Sequence, residues 1–165
     1  MNQVQYQISV ANSNSHLFSV SINFPSKTNS DYTLSLPAWL PGSYMIRDFA
    51  KNIIQPQALT NNGQALALNK LDKQTWQLTA QDDVTTITYQ VFAFDLSVRT
   101  AYLDNQRGFF NGSSTFLAIE ELANLPCSLS IEQPAEYPSW RVATGLSRDI
   151  STEKYSFGEY IAKDY

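Results

Sequence analysis

The chain contains one histidine, His16, and one cysteine, Cys127, in 165 residues. A catalytic or structural zinc takes three or four nitrogen, sulfur or oxygen ligands, so the usual histidine and cysteine sets cannot be assembled here. An intrachain disulfide is excluded as well. Ser113 and Ser114 lack the G-x-S-x-G setting of a nucleophile elbow, and His16 is the only imidazole available to activate either. Basic residues are few: 11 Lys and Arg against 15 Asp and Glu give a net charge of −4. With no basic stripe to neutralise phosphates, a nucleic-acid partner is excluded. No apolar run is long enough to cross a bilayer, so no membrane partner is expected. The opening MNQVQYQISV has neither the basic n-region nor the apolar h-region of a secretory signal. A cytoplasmic location is the expectation, one that a trimmed signal peptide would overturn.

What is present suits strands. Apolar residues make up 43% and aromatics 13% of the chain. A domain of this length buries roughly 70% of the surface its unfolded form exposes, enough for a core without staples. Alternation of period two puts Val4, Tyr6, Ile8 and Val10 on one face, and repeats with Phe18, Val20, Ile22 and Phe24 after the polar turn 12–15. Tyr32, Leu34 and Leu36 continue the pattern. Residues 53–59 lead to Asn61-Asn62-Gly63, a hairpin signal, with 65–69 and 75–79 as a short pair beyond. Residues 85–94 form the longest strand candidate, preceded by Asp82-Asp83 as a turn. The pattern loosens over 97–108, resumes at Phe109-Phe110, and turns at Asn111-Gly112 before 115–119. Residues 127–131 and 140–144 read as late strands; 116–125 reads as a short helical turn ended by Pro126, and 160–165 as the start of another. The expectation is an all-β fold: an antiparallel β-sandwich or saddle-like sheet of about ten short strands with little helix.

The stretch LPAWLPGSYMIRDF, residues 36–49, breaks this regularity. Pro37 and Pro41 fix φ and withhold backbone donors, and Pro41-Gly42 is a turn pair. A rigid irregular loop on a β scaffold is expected, with Trp39, Tyr44, Met45, Ile46 and Phe49 packed around the turn.

WLPGSYMIRDFA, followed some fifty residues later by SVRTAYLDNQRGFFNGSSTFL, resembles the amino-terminal domain of the glycyl aminopeptidase family of zinc metallopeptidases. The resemblance runs from Gln5 to Tyr165. It implies a domain that precedes a thermolysin-like catalytic domain and a PDZ-like domain, with residues 1–165 as one amino-terminal β domain cut just before the catalytic part. Zinc would belong to that missing part, on an H-E-x-x-H helix, where two imidazoles one turn apart hold the metal and the glutamate is general base. This chain has no such motif, so no cofactor is expected in it. The implied partners are the parent protein's own catalytic domain and the parent's peptide substrate.

Two groups of residues are candidates for contact with substrate or with the neighbouring domain. Trp39, Tyr44, Arg47 and Asp48 stand on the rigid loop, where binding faces are usually carried. The bland alternative is that Arg47 and Asp48 pin the loop while Trp39 and Tyr44 plug the core edge. Arg99, Tyr102 and Asn111 stand in the second segment, with Asp104 and Arg107, and could meet a peptide amino terminus. A solvated loop returning to a hairpin is the competing account. Asn111, beside Gly112, is expected to adopt positive φ or to donate to a ligand carbonyl. Glu120 and Glu121 are adjacent and expected to be solvated, since a glycosidase pair must flank one bond from roughly 5 to 9 Å apart. His16 is expected exposed and without a role, and Cys127 to fill core. An autonomous sandwich module that binds carbohydrate or peptide through exposed aromatics is the alternative function. The docking reading, by contrast, predicts an exposed apolar patch that includes part of the 39–49 loop or Phe109-Phe110.

Overall fold

The computed structural model describes residues 3–25, 30–80 and 84–165. Among them the strands are β1 (Val4–Asn12), β2 (Leu17–Asn23), β3 (Ser30–Ser35), β4 (Ile53–Thr60), β5 (Ala65–Ala67), β6 (Asn69–Lys70) and β7 (Thr75–Ala80). The second half adds β8 (Val84–Phe92), β9 (Ala101–Leu103), β10 (Gly108–Phe110), β11 (Ala118–Ile119), β12 (Cys127–Ile131), β13 (Ser147–Arg148) and β14 (Gly158–Ala162). The helical content is three short 3₁₀ turns, at Phe49–Asn52, Gly112–Ser114 and Glu120–Leu122. No described helix is long and apolar enough to cross a membrane.

Three sheets result. The large one runs β13-β14-β12-β1-β2-β8-β4-β5, a second runs β11-β3-β7-β6, and β10 pairs β9 as a ribbon. All pairings are antiparallel except β1 with β12, where Val4 lies opposite Cys127 and Ile8 opposite Ile131. The all-β class expected from the alternation holds. Val4, Tyr6, Ile8, Phe18, Val20, Ile22, Ile87, Tyr89 and Val91 from the large sheet share one buried cluster with Tyr32, Leu34, Leu36, Trp76 and Leu78 from the second. Phe24 meets Tyr32 edge-on at 5.1 Å where the two sheets approach. Every ring or branched side chain turned inward leaves its neighbour outward, which is why the pattern was readable.

Several elements differ from expectation. Residues 65–69 do not form one strand pairing with 75–79: β5 joins β4 in the large sheet, and only β6 pairs β7. The chain changes sheets at half-buried Leu68. Of residues 115–119 only β11 is a strand. Residues 140–144 form no ladder, and their one backbone bond to another segment is Val142 N–H to the Tyr155 carbonyl, 3.0 Å. They alternate because they lie on a sheet face, with Trp140 and Val142 packed against the core while Arg141 and Ala143 stay exposed. Residues 160–165 begin no helix, since β14 adds to β12 with Tyr160 opposite Leu129. Strand β9 lay unseen in the loosened stretch. The Asp82-Asp83 turn lies outside the described residues.

Candidate functional site

Leu36 and Phe49, 0% and 1% exposed, clamp the two ends of the irregular loop into the core. Between them Leu40-Pro41-Gly42-Ser43 makes a type II turn, in which Ser43 N–H donates to the Leu40 carbonyl at 3.0 Å. Gly42 has φ +79°; a Cβ there would touch nothing, so the dihedral and not space selects glycine. Buried Ser43 is the hub. Its carbonyl accepts from the Trp39 indole N–H, and its hydroxyl oxygen accepts from Arg47 Nε at 3.1 Å. Arg47 N–H donates to the Ala38 carbonyl at 2.8 Å, closing the loop. Asp48, left-handed at φ 46°, then leads the chain into the 3₁₀ turn, and its carboxylate lies 3.5 Å from Lys73 Nζ.

This skeleton turns the large side chains outward. Trp39 is 50% exposed, Met45 63%, Ile46 66%, and Tyr44 is fully exposed. Tyr44, Met45 and Ile46 do not pack around the turn as expected, and Tyr44 does not plug the core edge, whereas Arg47 and Asp48 do pin the loop, as the bland reading had it. Ser43, a small polar residue, does the holding that had been expected of the aromatics.

The second segment stands beside the first. Residues 94–100 fold on themselves, with Thr100 Oγ1 donating to the Asp95 carbonyl at 2.7 Å. Phe94, Leu96 and Val98 stay 53%, 68% and 71% exposed. Arg99 Nη2 donates to the Gly42 carbonyl at 3.4 Å and links the two loops. Asn111 Nδ2 donates to the Val98 carbonyl at 3.3 Å, while its Oδ1 accepts from Ser113 N–H at 3.1 Å. At φ −95° it is extended, so neither positive φ nor a free amide for a ligand is found. Its amide is committed to the 3₁₀ turn it caps. Tyr102 donates its hydroxyl to Asp104 Oδ2 at 2.9 Å and stacks on Phe94 at 5.5 Å, with the Arg107 guanidinium over its ring. That bond to Asp104 raises the phenol's pKa. The backbone N–H groups of Gln106 and Arg107 on Oδ1 hold the Asp104 carboxyl below its usual range. The segment is an exposed loop that returns to the β9–β10 hairpin, as the competing account expected, and it is braced by these bonds.

The two loops meet where Arg99 bonds to the Gly42 carbonyl. Each carries exposed apolar side chains, Trp39, Tyr44, Met45 and Ile46 on the first and Leu96 and Val98 on the second. Leu96 and Val98 were missed, although their alternation with Asp95, Ser97 and Arg99 was visible. His16 is half-buried rather than exposed, stacked on Phe94 at 3.8 Å with Nδ1 at the Leu103 carbonyl. Glu120 and Glu121 are both exposed, as expected, and Glu121 also accepts from Thr33 N–H with both carboxylate oxygens at 3.0 Å. Cys127 is buried on β12 as expected, and burial raises its thiol pKa.

The zinc implied by the family resemblance finds no fitting ligand set here. His16 is spent on Leu103 and Phe94, and the Cys127 thiol faces the Leu125 carbonyl. Among the described residues no three His, Cys, Asp or Glu side chains converge.

The chain belongs to the family described as the Peptidase M61 N-terminal domain, whose family model matches residues 5–165. The crystal structure of an aminopeptidase N family protein from Idiomarina loihiensis is similar over 98% of this chain, at 44% identity and a TM-score of 0.91. This chain spans 27% of the length of that one. No curated protein matches. The chain is thus an amino-terminal domain of the M61/aminopeptidase type.

Proposed function

We propose that this domain packs on the catalytic domain of a zinc metallo-aminopeptidase through the surface built from Trp39, Tyr44, Met45, Ile46, Leu96 and Val98. On this reading the rim formed by Arg47, Asp48 and Arg99 borders the cleft that takes the peptide substrate. The observation that carries it is outward display of four large apolar side chains from a loop that its own hydrogen bonds hold rigid. Displaying them to water costs burial energy, at about 25 cal/mol per Å². A braced loop that forgoes that gain fits a surface covered by a partner. The length of the similar solved chain supplies a candidate partner, since most of that chain lies beyond the matched region. Zinc, peptide cleavage and a cytoplasmic setting belong to this proposal for the whole protein. The chain itself contributes shape and contact.

The test is binding in trans. The chain should bind a separately expressed catalytic portion of the same polypeptide, and Ile46→Asp with Val98→Asp should weaken that binding at least 100-fold while the domain's own melting temperature holds. Unchanged binding by the double variant refutes the surface assignment.

A further inference from the structure

Two Asn-Gly pairs stand at turns, Asn62-Gly63 and Asn111-Gly112, and the fold treats them in opposite ways. Such a pair is open to a reaction that needs only water. The glycine amide nitrogen gives up its proton and attacks the asparagine side-chain carbonyl carbon; a succinimide ring closes and ammonia leaves. Water then opens the ring at either carbonyl. One product is aspartate, and the other is isoaspartate, in which the main chain runs through the former side chain. Glycine favours closure because it has no Cβ to crowd the attacking nitrogen.

Asn111 is held on every side. Its N–H donates to the Thr100 carbonyl at 2.9 Å, and its carbonyl accepts from Ser114 N–H at 3.0 Å and from the Ser114 and Thr115 hydroxyls at 2.9 and 3.0 Å. Both ends of its side-chain amide are bonded as well, to the Val98 carbonyl and Ser113 N–H. A Cβ on Gly112 would already meet the Phe116 ring at 3.6 Å. Swinging the Asn111 side chain onto the Gly112 nitrogen breaks several of these bonds together. Asn62 is the contrary case. Residues 61–65 are all exposed, and the Asn62 side chain makes no hydrogen bond among the described residues. A Cβ on Gly63 would meet nothing within 4 Å. The restraints there are on the backbone: Gly63 N–H donates to the Thr60 carbonyl at 2.9 Å and Gln64 N–H to Thr60 Oγ1 at 3.1 Å. Bonds in an exposed turn at the rim of a sheet open at little cost, which frees the Gly63 nitrogen.

We infer that Asn62 is a site of spontaneous conversion to isoaspartate and that the fold protects Asn111 from it. The consequence falls on β5. That strand is the last of the large sheet and pairs only β4, from Leu59 opposite Ala65 to Gln57 opposite Ala67, through this turn. Isoaspartate lengthens the main chain by a methylene and adds a negative charge, in a hairpin whose register depends on loop length. Conversion therefore loosens β5 and leaves β4 as an open edge.

Ageing the folded chain at mildly alkaline pH, followed by peptide mass mapping and enzymatic methylation of isoaspartate, tests the site. Asn62 should convert at least tenfold faster than Asn111. In urea, where the fold protects neither pair, the two should convert at similar rates. N62Q, which would need a larger ring, should lose the isoaspartate signal while keeping the wild-type melting temperature. Hydrogen exchange at Ala65, Leu66 and Ala67 should quicken in the converted protein and stay slow in aged N62Q. Equal rates at the two pairs in the folded chain overturn the inference, as does a folded Asn62 that stays intact while the unfolded chain converts. Unchanged exchange at β5 after conversion overturns the release of that strand.

Discussion

Two irregular segments are held in opposite ways. Residues 115–117 are buried, and three phenols bond to their backbone. Tyr89 Oη donates to the Thr115 carbonyl at 3.0 Å and accepts from Leu117 N–H at 2.9 Å. Tyr6 donates to the Leu117 carbonyl at 3.1 Å, and Tyr165 donates to the Phe116 carbonyl at 2.8 Å. Backbone that cannot join a ladder is satisfied there by side chains, as burial requires. Residues 37–48 are braced largely around one buried serine, and Trp39, Tyr44, Met45 and Ile46 face water. Irregularity serves the core in the first case and contact in the second. The difference lies in where the rings point, not in how much irregular chain there is.

The largest test of that contrast is Tyr89→Phe. Removing the hydroxyl strands a buried carbonyl and a buried N–H, each worth about 1–3 kcal/mol, so a loss near 3 kcal/mol is expected in urea denaturation. A loss below about 1 kcal/mol would show that the phenol clasp is incidental.

Alkaline pH probes the same clasp. Burial raises the pKa of Tyr6 and of Tyr89 above the ordinary value near 10. The folded state keeps these protons while the unfolded chain sheds them, so stability is full below about pH 10 and falls as pH rises beyond it. The slope approaches about 1.4 kcal/mol per pH unit for each tyrosine. Tyr165 is raised in the same direction, also by burial of its hydroxyl. Denaturation between pH 8 and 11 should show this fall, and Tyr89→Phe should make it shallower. A flat profile would place these hydroxyls in contact with water.

On the other segment, Gly42→Ala must hold alanine at φ +79°, at a cost of about 1 kcal/mol with no clash. Ser43→Ala should cost a similar amount globally, yet speed hydrogen exchange at the Ser43 and Arg47 amides, whose bonds close the loop. Unchanged exchange would remove Ser43 from the role of hub. Smallest of all, Tyr44→Ser should shift stability by less than about 0.5 kcal/mol in thermal melts. A larger loss would mean the ring packs on its own domain.

Residue pattern made much of this legible. Strands β1, β2, β3 and β8 follow from alternation, because buried and less buried residues alternate along each. Strand β9 did not, since Ala101–Leu103 is too short for a period to show. Residues 140–144 misled because a segment lying on a sheet alternates like one inside it. The loop at 36–49 was readable as rigid from Pro37, Pro41 and Gly42, but proline and glycine say nothing of side-chain direction. The bridge from Arg99 to Gly42 spans 57 residues and is a product of tertiary folding alone.

The parallel pairing of β1 with β12 also shapes how the domain is made. As the chain is synthesised, β1 finds one edge partner at once in the adjacent hairpin. Its other edge must wait until more than a hundred further residues have been synthesised. Until then Val4 to Ile8 offer an open ladder to any passing chain, the form of exposure that seeds aggregation. Formation of this pair should be a late event, set by the closure of a very long loop.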